Sequence, residues 1–137
     1  MSELITDVTI EKLKAILDDV PVDSIIEDDG GIYVKDGLGF PIWISIIHEG
    51  TILKLMTLMT FRDREAVDEL ESLRLANLMN ATYFPNSVCV SKGKLVANAF
   101  LPIRNGITPQ VFLEWAARCG SSFIGAVREH DTKDLFD

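Results

Sequence analysis

The sequence predicts an α+β fold in which three helices pack on an antiparallel β-sheet, in the order α-β-β-β-α-β-β-α. Three observations carry that reading. Apolar residues recur at helical spacing in three separate stretches. Between the first two stretches, β-branched and apolar runs meet at Glu49-Gly50 as the arms of a hairpin do. Between the last two, a shorter pair of runs meets at Lys92-Gly93.

The chain has 137 residues, with 47% hydrophobic and 25% charged. That is enough to bury one proper core, and the composition decides against a disordered chain. A single domain spanning 1–137 is the expectation, with Asp131 to Asp137 as a loose tail. No linker, internal repeat or low-complexity tract divides it.

Ile10, Leu13, Leu17 and Val20 share one side of a first helix over Thr9 to Asp19, opposite Glu11, Lys12, Lys14 and Asp18, and Pro21 ends it. A short strand follows at Asp23 to Glu27, then the turn Asp28-Asp29-Gly30-Gly31, then a strand at Ile32 to Lys35. Phe40 to Glu49 and Thr51 to Phe61 are the central strands. Alternation puts Phe40, Ile42, Ile44 and Ile46 on one face and Trp43 and Ile47 on the other. In the partner strand Leu53, Leu55, Met59 and Phe61 oppose Ile52, Met56 and Leu58. Both faces are apolar, so a helix or a partner subunit is expected over the second.

Stepping 100 degrees per residue along the middle helix groups Ala66, Val67, Leu70, Leu73 and Leu78 with Arg74 and Asn77. This stripe is the expected core face. The opposite side begins acidic, at Glu65, Asp68 and Glu69, and ends in Leu75, Ala76 and Met79. Two packings account for that second patch: contact with another subunit, or with the loop at Tyr83 and Phe84. The candidate interface is therefore Leu75, Ala76 and Met79. Arg74, Asn77 and Asn80 are candidate structural anchors, because a buried Arg or Asn has to be hydrogen-bonded.

Ser87 to Ser91 and Lys94 to Ile103 form the second hairpin, with Val88 and Val90 in one phase and Leu95, Ala97, Ala99 and Leu101 in one phase. The last helix has the clearest start in the chain. Thr108 is the N-cap, Pro109 lies in the first turn, and Ile107 can staple to Phe112. Phe112, Trp115, Ala116, Cys119 and Phe123 form its core stripe, and Gly120 either ends it or sits inside a helix running to about Glu129.

The net charge of −8 makes the average surface repel phosphate, which argues against direct nucleic-acid binding. Acidic residues concentrated before residue 37 also disfavour an anionic membrane surface. No apolar run has the length of a membrane span, and Met1 to Asp7 lacks a basic, then apolar, leader. A cytoplasmic protein is expected. Cys89 and Cys119 have neither metal-ligand spacing nor a disulfide framework, and both are expected to be buried thiols.

Reactive chemistry has little support. His48 lies at a strand end and His130 in the last helical turn, neither in a catalytic motif. Two His and two isolated Cys do not build a transition-metal site, and Glu27-Asp28-Asp29 lacks the ligand alternation of a calcium loop. No glycine pair precedes a helix that would present its N-terminus to a phosphate. The expectation is no enzyme, no metal and no cofactor.

The helix ending LANLMN, the return strand VSKGKLVANAFLP and the GITPQVF entry to the last helix give the chain a resemblance to the YbjN-like family of bacterial sensory transduction regulators. The resemblance covers about residues 6 to 128. It rests on the Asn77 and Asn80 spacing, on Leu101-Pro102 and on Gly106-Ile107-Thr108. Met79 and the Tyr83-Phe84-Pro85-Asn86 loop depart from the family pattern. The resemblance implies a type III secretion chaperone-like fold, a bent antiparallel sheet of about five strands, and a homodimer to which the middle helix contributes. From these readings we expect a non-catalytic homodimeric adaptor or chaperone-like regulator that binds an unidentified protein partner through apolar surface. The alternative is a small-molecule sensor with a pocket between sheet and helices.

Overall fold

A computed structural model describes residues 3–62, 69–82, 86–131 and 135–136. Its elements are α1 (Ile10–Asp18), β1 (Asp23–Ile26), β2 (Ile32–Asp36), β3 (Ile42–Ile47), β4 (Ile52–Thr60), α2 (Glu69–Thr82), β5 (Ser87–Ser91), β6 (Lys94–Pro102) and α3 (Pro109–His130). The strands form one antiparallel sheet in the order β1-β2-β3-β4-β6-β5. The α+β class is the expected one, with six strands in place of about five. The short strand expected at Asp23 to Glu27 is β1, which completes the six by pairing Ile25 with Tyr33 and Ile26 with Ile32. Its turn closes through the Asp29 side chain, whose Oδ1 accepts from Gly31 N–H at 2.9 Å.

The ends of the elements follow local chemistry. Thr9 caps α1 by accepting from Lys12 N–H, and Thr108 caps α3 by accepting from Val111 N–H, each at 3.2 Å. Lys92 and Gly93, at φ 50° and 77°, make the two-residue turn that pairs Ser91 with Lys94. The β4–β6 ladder runs from Ile52↔Pro102 to Thr60↔Lys94 and joins the two halves of the sheet.

All three helices lie on one face of this sheet. Leu13 and Leu17 of α1 and Phe112, Ala116 and Cys119 of α3 pack with Ile32, Val34, Ile42, Ile44, Leu53 and Leu55. A second core joins Leu75, Ala76 and Met79 of α2 to Val88, Leu95 and Ala97 and to Phe123, Ala126 and Val127 of α3. Between the two along β4 lies fully buried Thr57, whose hydroxyl donates to Pro41 C=O at 2.8 Å. A buried hydroxyl costs free energy unless it is bonded, so this contact fixes how the β2–β3 connection meets β4.

The structure corrects the expectations for the chain end, for Cys89 and for the phase of α2. The chain end is docked at Leu135 and Phe136: Phe136 bridges and stacks on Phe61 at 4.8 Å between ring centroids, and Arg62 N–H donates to Leu135 C=O at 2.8 Å. Two apolar residues after a polar stretch find the open end of the second core, and burial there offsets the cost of ordering the backbone. Cys119 is buried, but Cys89 is exposed, because alternation along β5 turns it away from Val88 and Val90. The phase of α2 belongs with the surfaces that it creates. Ala66 and Val67 lie outside the described residues, as do Tyr83, Phe84 and Pro85.

Gly120 sits inside α3 where the helix crosses the loop after β2. A Cβ there would lie 2.4 Å from Leu38 O and 2.9 Å from Phe40 N. Gly125, five residues on, has nothing within 4 Å of the same position. Helix propensity favours Ala over Gly by about 1 kcal/mol, whereas overpacking against backbone costs about 1–3 kcal/mol or more. Gly120→Ala should therefore lower stability in urea unfolding, and Gly125→Ala should raise it by about 0.5–1 kcal/mol. Equal effects at the two positions would disprove the close crossing.

Burial also pushes the Cys119 thiol up to about 12 and shields it from reagents, whereas Cys89 is exposed. A thiol reagent at about pH 8 should modify one cysteine per native chain, and both after denaturation. Modification of two in the native state would contradict the packing around α3.

Candidate interaction surfaces

Helix α2 is apolar on both sides, and the tertiary fold decides which side is covered. Ser72, Leu75, Ala76 and Met79, at spacings of three and four, are buried, with Leu75 3% and Met79 1% exposed. The expected interface residues Leu75, Ala76 and Met79 thus belong to the chain's own second core and are not available to a partner. Their placement follows from β5 and β6, where Val88, Leu95 and Ala97 present the surface that α2 must meet. The stripe expected to face the core points outward instead, with Leu70 53%, Leu73 48% and Leu78 46% exposed.

The polar residues of this helix divide accordingly. Arg74 and Asn77 are exposed, and Arg74 meets Glu71 one turn back at 3.4 Å. Such an exposed pair contributes little to stability. With Leu73 and Leu78 they line a hollow of about 410 Å³ on the outer surface. Asn80 acts on the backbone of β5. Its Nδ2 donates to Val88 C=O at 2.8 Å and its Oδ1 accepts from Val88 N–H at 2.6 Å. One side chain thereby satisfies both backbone groups of an edge-strand residue, as a neighbouring strand would. Asn86, an anchor that the sequence pattern does not reveal, donates from Nδ2 to Cys119 C=O at 3.1 Å and ties the entry of β5 to α3.

The second surface is the other face of the sheet. Register places Ile25, Tyr33, Trp43, Met56, Asn98 and Ser87 in one row across all six strands. Tyr33 and Trp43 stack with centroids 4.8 Å apart. Beside them Ser45, Lys54 and Phe100 form the next row, and Phe100 is 47% exposed. The core clusters formed by the described residues take their strand residues from the opposite face. Alternation in β3 and β4 was the sequence signal for this apolar face, but Tyr33 and Phe100 could be added to it only once the strand order was known.

Chemical centres have no comparable support. Among the described residues no three His, Cys, Asp or Glu side chains gather to hold a metal ion. Other hollows bounded by described residues open at the surface. One of about 530 Å³ lies between the N-terminal segment and α1, and one of about 210 Å³ lies beside Trp43 and Lys54. No described helix is long and apolar enough to cross a membrane.

The arrangement is similar to a solved structure, YbjN from E. coli, described as "a putative transcription regulator", with a TM-score of 0.79 over 98% of this chain and 99% of that chain. Sequence identity is 18%, so this likeness is one of fold. No curated protein matches the sequence. The YbjN family model, described as "Putative bacterial sensory transduction regulator", matches residues 9–128, and the chain belongs to that family.

Proposed function

We propose that this protein is a non-catalytic regulatory adaptor that acts as a homodimer in the cytoplasm and binds a protein partner through apolar surface. The observation that carries the reading is the outward face of α2. A helix that buries Ser72, Leu75, Ala76 and Met79 has met its packing needs within the chain, yet it still exposes Leu70, Leu73 and Leu78. Leu73 and Leu78 bound a hollow floored by Arg74 and Asn77, and such half-exposed leucines are covered by association.

A second copy is the occupant we assign to this face. A two-fold pairing needs only one self-complementary patch, and here leucines are flanked by uncharged Asn77 and by Arg74, which is already paired with Glu71. Burying the remaining half of each leucine contributes about 1 kcal/mol, hence about 6 kcal/mol for the six in a pair. That sum is modest against the cost of association, so the dimer should form at micromolar concentrations and draw on adjoining surface. An exposed free thiol at Cys89 fits a reducing compartment. The exposed leucines of α2 and the aromatic rows on the open side of the sheet favour recognition by surfaces over a small-molecule sensor.

Light scattering at about 10 µM should give twice the chain mass of 15.2 kDa. Leu73→Asp combined with Leu78→Asp should give a folded monomer with an unchanged circular dichroism spectrum. Met79→Asp should instead destabilise the fold itself, by about 3 kcal/mol or more, because it buries a charge. A monomeric native chain, or a double variant that stays dimeric, would remove α2 as the interface.

A further inference from the structure

We propose that the end of β4 is a strand-addition site, that Leu135 and Phe136 occupy it as the chain's own ligand, and that an extended segment of a protein partner, carrying an aliphatic residue followed by an aromatic one, displaces them. This site rests on the adaptor reading above and gives it a place and a switch, since the partner enters only as the tail leaves.

The sheet leaves this stretch of β4 uncovered on one side. Strand β3 pairs with β4 only from Ile52 to Met56, whereas β6 continues beside it to Thr60. Backbone groups along a strand turn alternately toward its two neighbours. Phe61 N–H donates to Gly93 C=O at 3.0 Å on the β6 side, and Arg62 N–H donates to Leu135 C=O at 2.8 Å on the other. The same alternation turns the backbone of Thr60 and Leu58 toward the side of the tail. Among the described residues the tail reaches only as far as Phe61, through its bridge to Phe136, and no strand runs beside Leu58 there. An open stretch of strand edge is a template for an incoming chain.

The tail itself shows the chemistry that the site takes. Phe136 stacks on Phe61 with ring centroids 4.8 Å apart, and Leu135 joins Leu75 and Val127 in the second core. The Asp131 carboxylate accepts from Leu135 N–H at 3.0 Å and aims the segment from the end of α3. The hold is short, because two buried side chains stand in a stretch that is otherwise polar. Such a segment opens locally at far less cost than the whole fold. A longer extended segment repeats its contacts and adds backbone bonds at Leu58, as strand addition does in peptide recognition.

Other occupants fit less well. The tail of a second copy would make the same contacts as the chain's own, which its tether presents at about millimolar effective concentration, so exchange between copies gains nothing at micromolar protein. A nucleic-acid strand would stack on the rings, but it has no alternating N–H and C=O groups to pair with β4.

The test is fluorescence anisotropy on the full chain with two labelled peptides, one of residues 131–137 of this sequence and one of the same residues followed by Val-Thr-Val. The longer peptide should bind about tenfold more tightly than the shorter. N-methylation of its second Thr, whose N–H meets Leu58 in the register of the tail, should remove that gain, and N-methylation of the Val before it should not. Leu135→Ser with Phe136→Ser should strengthen binding of both peptides about tenfold by removing the competitor, and Asp131→Ala should do so in part. Circular dichroism establishes that each variant keeps the fold. Hydrogen exchange reads the native chain directly: Leu58 N–H should exchange faster than Met59 N–H, which faces β6, and should slow when the longer peptide binds. Peptide affinity that neither variant raises overturns the inference. So does a longer peptide that binds no better than the shorter, or a Leu58 N–H as protected as that of Met59 before any peptide is added. If Leu135→Ser with Phe136→Ser turns a dimeric chain monomeric, the occupant is a second copy's tail and the partner site falls. Absence of peptide binding to that double variant, in a protein whose native chain is dimeric by mass, overturns the β4 site alone and leaves the adaptor reading standing.

Discussion

The ladder between β4 and β6 is the constraint on which the rest of the molecule depends. It brings together residues on either side of the excursion through α2 and β5, and it sets the phase of every strand pair built on it. With Leu55 opposite Ala99 and Thr57 opposite Ala97, the same face of both strands turns toward the helices. A slip of one residue would exchange that face for the one carrying Lys54 and Phe100. The small side chains at Ala97 and Ala99 complete the arrangement, since they leave room for helices to approach the sheet.

Much of this was legible in the residues because local and global signals agree. Thr9 and Thr108 mark helix starts that tertiary packing has no reason to move, and the Lys92-Gly93 turn leaves one pairing of its strands. The middle helix was legible as a helix but not in its phase. Counting its leucines at 70, 73 and 78 selects the wrong side, because Arg74 and Asn77 fall among them whereas Ser72, Leu75, Ala76 and Met79 form a face without charge. What decides the phase is the shape and chemistry of β5 and β6, together with Asn80 gripping Val88. The docked Leu135 and Phe136 escape sequence reading for a related reason: two residues have no period, and their value depends on an apolar opening beside Phe61 that only the fold creates.

The two surfaces differ in kind. The outward side of α2 is narrow and rich in leucine, suited to a matching helix. The open sheet face is broad, aromatic and dotted with lysine, suited to something flat or extended. A protein that regulates by contact needs both a way to present itself and a way to recognise, and these surfaces can be altered independently because they lie on opposite sides of the sheet.

Asn80 has a consequence for how such a chain stays discrete in a crowded solution. An open sheet has two rims, and a polymer of sheets needs both, one to receive and one to offer. On a strand of five residues the outward-facing backbone groups come at every second residue, and Asn80 occupies those of Val88. Val88 therefore has no backbone group to offer an incoming strand, and the row along the β5 rim is broken there. Sheet-to-sheet growth, which needs both rims, is thereby hindered at the β5 end.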